Sequence, residues 1–510
     1  MRILTAAETR AVDREAIEWF GVPGLLLMEH AARAVARAAL EGLGPAGRVF
    51  VITGGGNNGG DGWAAARLLL AGGVATRVLA VKEPAGLSGD AATNAALYAK
   101  FGGEAASFSS DALGGAGRGD VVVDALLGTG LSRPPEGTFR EAIAAMNDAR
   151  ERGAFLVAVD MPSGLPADGG DPPGAVVRAD RTPTFGALKV GLAIPPGREL
   201  AGAVEVVPIS WPPALLDGLS PALDLLEEGQ IRARLPRRES RSHKGSYGHC
   251  LVVAGSPGKS GAAALAARGA LVGGAGLVTV ATRSEVAAQV LGHAMELMAA
   301  PLAGEGALGD GDVPALLAAC EGKDAVLVGP GIPRGPRTRD AIGRLLAEVR
   351  APFVLDADAL NALAGDPSPL DRAAGEVVLT PHPGEMARLL GATVAEVQAD
   401  RIGAARRLAA AHGCVVVLKG AGTVVAEPGG DAAICPTGNA GLATAGTGDV
   451  LAGLLAALLA QGMRAPDAAR AAAYVHGEAG NRMILRTGMA GLVASDLLEG
   501  IREVWRAWSR

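Results

Sequence analysis

Nine short apolar runs rich in β-branched residues punctuate the chain: Val49–Thr53, Val121–Ala125, Phe155–Asp160, Cys250–Ala254, Leu277–Ala281, Ala325–Gly329, Phe353–Asp356, Val377–Thr380 and Val415–Lys419. Short runs that are apolar without alternation suit strands covered on both faces, which is the signature of buried parallel sheet. Several end in glycine or a carboxylate. Between them lie Ala-rich amphipathic stretches, among them Asp13–Phe20, Met28–Leu40, Gly62–Ala71, Gly261–Gly273 and Ala399–His412, which read as helices. The expected class is α/β, with ligands bound beyond the carboxyl ends of the strands.

A chain of 510 residues is too long for one typical core. The periodic pattern lapses at Pro208–Pro213 and again at Leu235–His243, where Pro, Arg and Ser replace it. Two domains are expected, 1–215 and 226–510, with the boundary between about Pro212 and Leu226.

A net charge of -6 and an aromatic share of 3% argue against a nucleic-acid partner, whether on a basic face or by stacking of single-stranded bases. Met1–Arg10 lacks an apolar signal core, and Leu25–Met28 and Val450–Ala460 are too short to span a bilayer, so a cytoplasmic protein is expected. Cys250, Cys320, Cys414 and Cys435 show no C-x-x-C spacing and read as buried reduced thiols.

The most informative stretch chemically is Thr444-Ala445-Gly446-Thr447-Gly448-Asp449, placed where a long apolar helix should start. Helix N-termini offer unpaired N–H donors and the positive end of the dipole, and glycines let a phosphate come close. With Asp449 positioned to take a proton from a hydroxyl, the stretch suggests phosphoryl transfer. A ligand-free glycine-rich helix start is the competing reading.

Upstream, the strand Val49–Thr53 runs into Gly54-Gly55-Gly56-Asn57-Asn58-Gly59-Gly60-Asp61-Gly62, a phosphate or ribose cradle, with a plain structural turn as the alternative. Asp124 ends a second strand before Gly128-Thr129-Gly130-Leu131-Ser132-Arg133-Pro134, and Asp160 ends a third before Met161-Pro162-Ser163-Gly164. The oxygens of Asn58, Asp124, Asp160 and Ser163 suit a hard cation, unless Asp124 and Ser163 merely cap helices. In the second half, Lys419-Gly420-Ala421-Gly422-Thr423 closes a strand with a cation, glycines and a hydroxyl suited to a nucleotide, and His382 lies between two prolines that restrict its turn.

GGGNNGGDG, DALLGTGLSR and VDMPSGL together resemble the N-terminal, epimerase domain of the bifunctional NAD(P)H-hydrate repair enzymes. SHKGSYG, LDADALN, LTPHPGE, VVLKG and GTGDVLAG resemble the ADP-dependent NAD(P)H-hydrate dehydratases of the ribokinase-like superfamily. The resemblance implies a Rossmann-like three-layer sandwich followed by a ribokinase-like domain. It implies epimerisation of R and S hydrated NAD(P)H, then dehydration of the S form to NAD(P)H with ADP as co-substrate, giving AMP and phosphate. By the same resemblance Asn57, Asn58, Gly59, Gly60, Asp61, Gly128, Thr129, Gly130, Leu131, Ser132, Arg133 and Pro134 hold the first substrate. Asn58, Asp124 and Ser163 take a potassium ion, and Asp160 meets the reacting nicotinamide. Ala263, Gly331, His382 and Asp449 meet the hydrated nucleotide, Lys419, Gly420, Ala421, Gly422, Thr423 and Gly448 the ADP, with magnesium accompanying it. The family's usual Glu-Asn-Ala-Gly is here Glu29-His30-Ala31-Ala32. A homo-oligomer is expected, with no nucleic acid or membrane partner. The alternative is a vitamin-precursor kinase fused to a non-catalytic ligand-binding domain.

Overall fold

The computed structural model describes residues 1–131, 133–335 and 337–509. It divides into two compact units, Met1–Ser220 and Pro221–Arg510.

The first unit is built on a parallel sheet of seven strands in the order Glu104–Ser107, Thr76–Ala80, Val49–Thr53, Val121–Ala125, Phe155–Ala158, Arg181–Phe185, Ala203–Val207. Alternate residues of the central strands point to opposite faces, and both faces are covered. Val49, Val51, Val121, Val123 and Val157 pack against the helices Gly24–Gly42, Asn57–Ala71 and Gly89–Lys100. Phe50, Ile52, Val122 and Leu156 pack against Thr138–Glu151. This is a three-layer sandwich. A small separate sheet pairs Ile3–Leu4 with Leu188–Lys189.

The second unit has a sheet of ten strands: Leu223–Leu225, Ala432–Ile434, Val424–Ala426, Val415–Leu418, Val377–Leu379, Phe353–Leu355, Ala325–Val328, His249–Val253, Leu277–Arg283 and Met298–Leu302. All neighbours are parallel except at Val424–Ala426, which runs antiparallel to both strands beside it. The sheet begins with Leu223–Leu225, ahead of residue 226, because this strand pairs with Ala432–Ile434. One face carries the helices Ser260–Val272, Thr447–Ala460, Ala465–Thr487 and Asp496–Trp508 over a core that includes Val252, Val280, Leu327, Val354 and Val417. Thr447–Ala460 is buried around almost its whole circumference, as its unbroken apolar sequence requires. A Cβ on Gly453 would lie 1.9 Å from the Ala266 carbonyl, so the two helices meet backbone to backbone only because that position is glycine.

Two sequence expectations change here. The helix read as Gly62–Ala71 begins at Asn57, which makes Asn57–Asp61 its first turns rather than a loop. The stretch Ala399–His412 is broken at Asp400, whose carboxylate accepts from Gly403 N–H at 2.8 Å and starts a new helix, Arg401–His412. The four cysteines are buried and joined in no disulfide. Among the described residues no helix is long and apolar enough to cross a membrane.

Candidate functional sites

In the first unit the expected residues gather at the carboxyl ends of the central strands. Gly54 and Gly59 serve close packing: a Cβ on Gly59 would stand 2.2 Å from the Gly54 carbonyl, and one on Gly54 2.1 Å from that of Leu126. Gly56 has open space beside it, which leaves its amide end of the helix approachable.

Asp124 is fully buried, with no ion-pair partner among the described residues. Its Oδ1 accepts from the Ser163 hydroxyl at 2.5 Å and Leu126 N–H at 3.2 Å, and its Oδ2 accepts from Ser163 N–H at 2.8 Å. Burial pushes its carboxyl up to about 6 against the pull of these bonds. The Asn58 amide donates to the Leu127 carbonyl at 3.1 Å, and Leu127 N–H donates to Ser163 Oγ at 2.8 Å, so Asn58 and Ser163 meet at Leu127, with Asp124 joined to them through Ser163. Neither Asp124 nor Ser163 caps a helix.

Asp160 has φ 63, a left-handed backbone unusual for a residue other than glycine. Its Oδ1 accepts from Lys189 Nζ at 2.5 Å, Phe185 N–H at 2.9 Å and the Thr184 hydroxyl at 3.0 Å. Lys189 is 1% exposed and donates also to Thr184 Oγ1 and the Phe185 carbonyl. Asp61 is buried beside this pair, and burial first, then the charges of Asp160 and Asp13, holds its carboxyl well above the usual range against Lys189. Lys189 and Asp13 are functional candidates that sequence reasoning missed. A signal existed: Lys189 interrupts the apolar run Ala187–Ile194.

In the loop after Asp124, Gly128 lies against the Asn58 side chain, and Arg133 is exposed without an ion-pair or hydrogen-bond partner among the described residues. Thr129, Gly130, Leu131 and Pro134 share this partly exposed loop. Ser132 lies outside the described residues. His30 shares a hydrogen bond with Ser210 Oγ at 3.1 Å, and Ala32 is fully buried.

The second unit gathers its charges around Asp449, in the first turn of Thr447–Ala460. Lys419 Nζ pairs with Asp356 Oδ1 at 2.7 Å and lies 3.8 Å from Glu385 Oε2. It comes within 3.3 Å of where a Cβ of Gly448 would stand. Burial opposes the lysine's charge, but Asp356 and Glu385 more than offset it and leave its pKa raised. Burial, then Asp356, pushes the Asp449 carboxyl up to about 7 against Lys419. Burial also takes Glu385 up to about 6, with Lys419 opposing. A carboxylate poised near neutrality is what a general base requires.

His382 caps the helix Pro383–Leu390: its Nδ1 accepts from Gly384 N–H at 3.0 Å, and burial, Lys419 and Arg388 lower its pKa. Gly420 lies 3.1 Å, measured from its Cβ direction, from the buried Arg401 guanidinium, which donates to the carbonyls of Leu418 and Lys419 at 3.2 Å and so shapes the loop through Ala421 and Gly422. Thr423 Oγ1 closes the loop onto the Gly420 carbonyl at 3.0 Å. Gly331 has φ 68 and its carbonyl accepts from Ser256 Oγ at 2.7 Å. Ala263 is fully buried under Gly255, so it offers a ligand no side-chain surface. The SHKGSYG segment is placed elsewhere: a Cβ on Gly248 would meet the Ala460 carbonyl at 2.0 Å, at the far end of Thr447–Ala460 from Asp449. Asp356, Glu385 and Arg401 received no role from the sequence and belong to the site.

Residues 24–191 match the family described as YjeF-related protein N-terminus, and residues 250–503 match NAD(P)H-hydrate dehydratase. The chain is 42% identical to a bifunctional NAD(P)H-hydrate repair enzyme of Moorella thermoacetica, over 99% of this chain and 97% of the relative. It is 38% identical to the enzyme of that name from Escherichia coli, over 98% and 93%. A solved ADP/ATP-dependent NAD(P)H-hydrate dehydratase from Bacillus subtilis is 33% identical, covering 56% of this chain and 98% of that one, with a TM-score of 0.49. The chain belongs to the family of bifunctional NAD(P)H-hydrate repair enzymes.

Proposed function

We propose that the chain repairs hydrated NAD(P)H in two steps, epimerising it in the first unit and dehydrating the S epimer at the expense of ADP in the second. The observation that carries this reading is that both halves of one chain match the two halves of the repair enzymes over almost their full length. The relatives do not favour a kinase fused to a non-catalytic domain, and the buried Asp160–Lys189 pair with Asp61 beside it argues for chemistry in the first unit.

In the substrate, C6 carries a hydroxyl next to the ring nitrogen. A proton donated to that hydroxyl lets water leave, with the nitrogen lone pair forming a planar iminium. Water then adds from the opposite face and gives up a proton. Asp61, held above the usual carboxylate range, supplies the proton, and Asp160, oriented by its contact with Lys189, receives one. The phosphates of the substrate lie on the amides at the start of Asn57–Ala71 and against Arg133. The buried Asp124 carboxylate, lacking a counter-ion, with the Asn58 amide, Ser163 hydroxyl and Leu127 carbonyl, fits potassium, whose chemistry is to neutralise that charge and fix the loop.

In the second unit Asp449 takes the proton of the C6 hydroxyl as its oxygen attacks the terminal phosphorus of ADP. AMP departs, and the amides of Gly446–Gly448 hold the transferring group. Loss of phosphate, with the ring nitrogen's electrons driving it and a ring proton released, restores the dihydronicotinamide. Lys419 sits against the anionic end of the nucleotide. The described residues form no cluster of three or more His, Cys, Asp or Glu side chains able to hold a metal, and Asp356 and Glu385 already face Lys419. A magnesium ion accompanying the nucleotide would neutralise charge on its phosphates, beside Asp449 and Lys419. The protein acts in the cytoplasm, as a homo-oligomer.

The test is Asp449→Asn, assayed by absorbance of regenerated NADH from pure S substrate with ADP, and by epimer separation. Dehydration should fall by about two to four orders of magnitude while epimerisation persists. Retained dehydration removes Asp449 from the mechanism.

A further inference from the structure

At the opposite end of Thr447–Ala460 from Asp449 lies an open cleft of about 1500 Å³, formed wholly within the second unit. At about 1.5 Å per helical residue the two ends are about 20 Å apart, so this cleft is not the nucleotide site. Five arginines line it, Arg232, Arg237, Arg238, Arg268 and Arg502, against one acidic side chain, Glu296. Such a cluster stands out on a chain whose net charge is -6.

Cations at helix C-termini are favoured by the helix dipole, and Ser260–Val272, Ser284–Leu291 and Thr447–Ala460 all end here, at Gly273, Gly292 and Gln461. That accounts for part of the cluster. Arg238 donates to the Gly274 carbonyl at 2.6 Å and lies over the Tyr247 ring. Arg232 meets Glu228 at 3.4 Å and the Trp508 carbonyl, and Arg502 meets Glu499 at 3.3 Å. The side chains of Arg237 and Arg268 have no hydrogen bond or ion pair among the described residues. Two unpaired guanidiniums lining one cleft are available to phosphate oxygens, which arginine binds in bidentate fashion.

The same cleft is lined by Trp505 and Trp508, partly exposed and with ring centroids 6.1 Å apart. Aromatic faces beside guanidiniums suit a base or nicotinamide ring joined to phosphates. The volume exceeds the roughly 300–1,000 Å³ of sites for drug-sized ligands, which favours a dinucleotide over a mononucleotide. We propose that this cleft is a second, non-catalytic site for a phosphate-bearing dinucleotide, held by Arg237 and Arg268 with its aromatic ring on Trp505 or Trp508.

The test uses the full chain and exploits the position of its five tryptophans, at 19, 63, 211, 505 and 508, of which the last two alone belong to the second unit. NAD+ is titrated while tryptophan fluorescence and calorimetric heat are followed, with ADP and inorganic tripolyphosphate as comparison probes. Expected is a saturable fluorescence change with NAD+, tighter than with ADP or tripolyphosphate. It is lost in Trp505→Phe/Trp508→Phe and weakened at least tenfold in Arg237→Ala/Arg268→Ala, whose thermal melting matches the parent. Dehydration of S substrate in the arginine variant should stay at the parental rate when no NAD+ is added. Absence of saturable binding overturns the proposal, as does binding undiminished by the arginine changes. A tryptophan fluorescence change with tripolyphosphate or ADP at concentrations as low as with NAD+ overturns the dinucleotide assignment. A concentration-dependent assembly in sedimentation that disappears with the arginines, without NAD+ binding, assigns the cleft to a second copy of the chain and overturns it too.

Discussion

Replacing Lys189 by methionine isolates the contribution of one buried cation. Methionine keeps the length and apolar stem, so the packing change is small. What goes is the charge opposite Asp160 and three donated bonds, to Asp160 Oδ1 at 2.5 Å, Thr184 Oγ1 at 3.1 Å and the Phe185 carbonyl at 2.8 Å. Breaking a buried pair from one side costs about 3–5 kcal/mol. Asp160 retains Phe185 N–H and the Thr184 hydroxyl and its side chain is 14% exposed, which puts the expected loss at the lower end, about 3 kcal/mol. For a unit of this size each kcal/mol moves the midpoint by about 2–4 °C, so the unfolding of the first unit should shift down by about 6–12 °C. Calorimetry of the full chain measures the shift, and epimer separation at a temperature well below the new midpoint measures the activity. There kcat of epimerisation should drop at least about a hundredfold with KM less affected, because Lys189 acts through Asp160 rather than by gripping the substrate. Dehydration of S substrate should be unchanged. A shift under about 2 °C together with unchanged epimerisation would falsify the reading of this pair as the organiser of the site.

Dehydration at subsaturating substrate should rise with pH through about 7, since Asp449 acts only when ionised and burial with Asp356 raises its pKa; a flat profile between pH 5.5 and 8, in a pH-rate measurement, would count against it as the base. Exchanging potassium for tetramethylammonium should slow epimerisation more than dehydration, measured by the same epimer separation, and equal rates in both salts would leave Asp124 without its proposed ion. Gly453→Val places side-chain atoms on a point already 1.9 Å from the Ala266 carbonyl; it should destabilise the second unit by about 1–3 kcal/mol or more, and an unshifted melting curve would show that the helices can separate. Cutting the chain between Ser220 and Pro221 should yield two fragments with separable activities, Leu223–Leu225 staying with its sheet; fragments active only when recombined would show that a site draws on both.

The central strands were legible because both their faces are buried, so that Val49–Thr53, Val121–Ala125 and Val415–Leu418 are apolar at every or nearly every position. The edge strand Glu104–Ser107 was not, since it is mostly exposed and its residues carry no pattern. Nor was the antiparallel Val424–Ala426, whose direction depends on a turn rather than on composition. The start of the helix at Asn57 was hidden by glycines that look like a loop and are there to let the helix lie on the backbone before it. Of the candidate site, residues in dense motifs could be found, whereas Lys189 is joined to Asp160 only by the fold. Asp61 was read as part of a cradle because sequence shows proximity to a helix start and not depth of burial.

The pairing of Ile3–Leu4 with Leu188–Lys189 has a consequence for the order in which the protein matures. During synthesis the first strand of this small sheet leaves the ribosome long before its partner, which follows only when most of the first unit has emerged. Closing so long a loop for two residues of pairing yields little on its own. The large sheet must therefore form first, with the amino-terminal segment docking late, where Ala6 N–H also meets the Asp168 carboxylate at 2.6 Å. The strand bearing Lys189 is thus fixed near the end of the process, and a nascent first unit would be folded before it is competent. Trimming Met1–Thr5 should reproduce that stage: an intact sheet, a loosened lysine, and a second unit unaware of the loss.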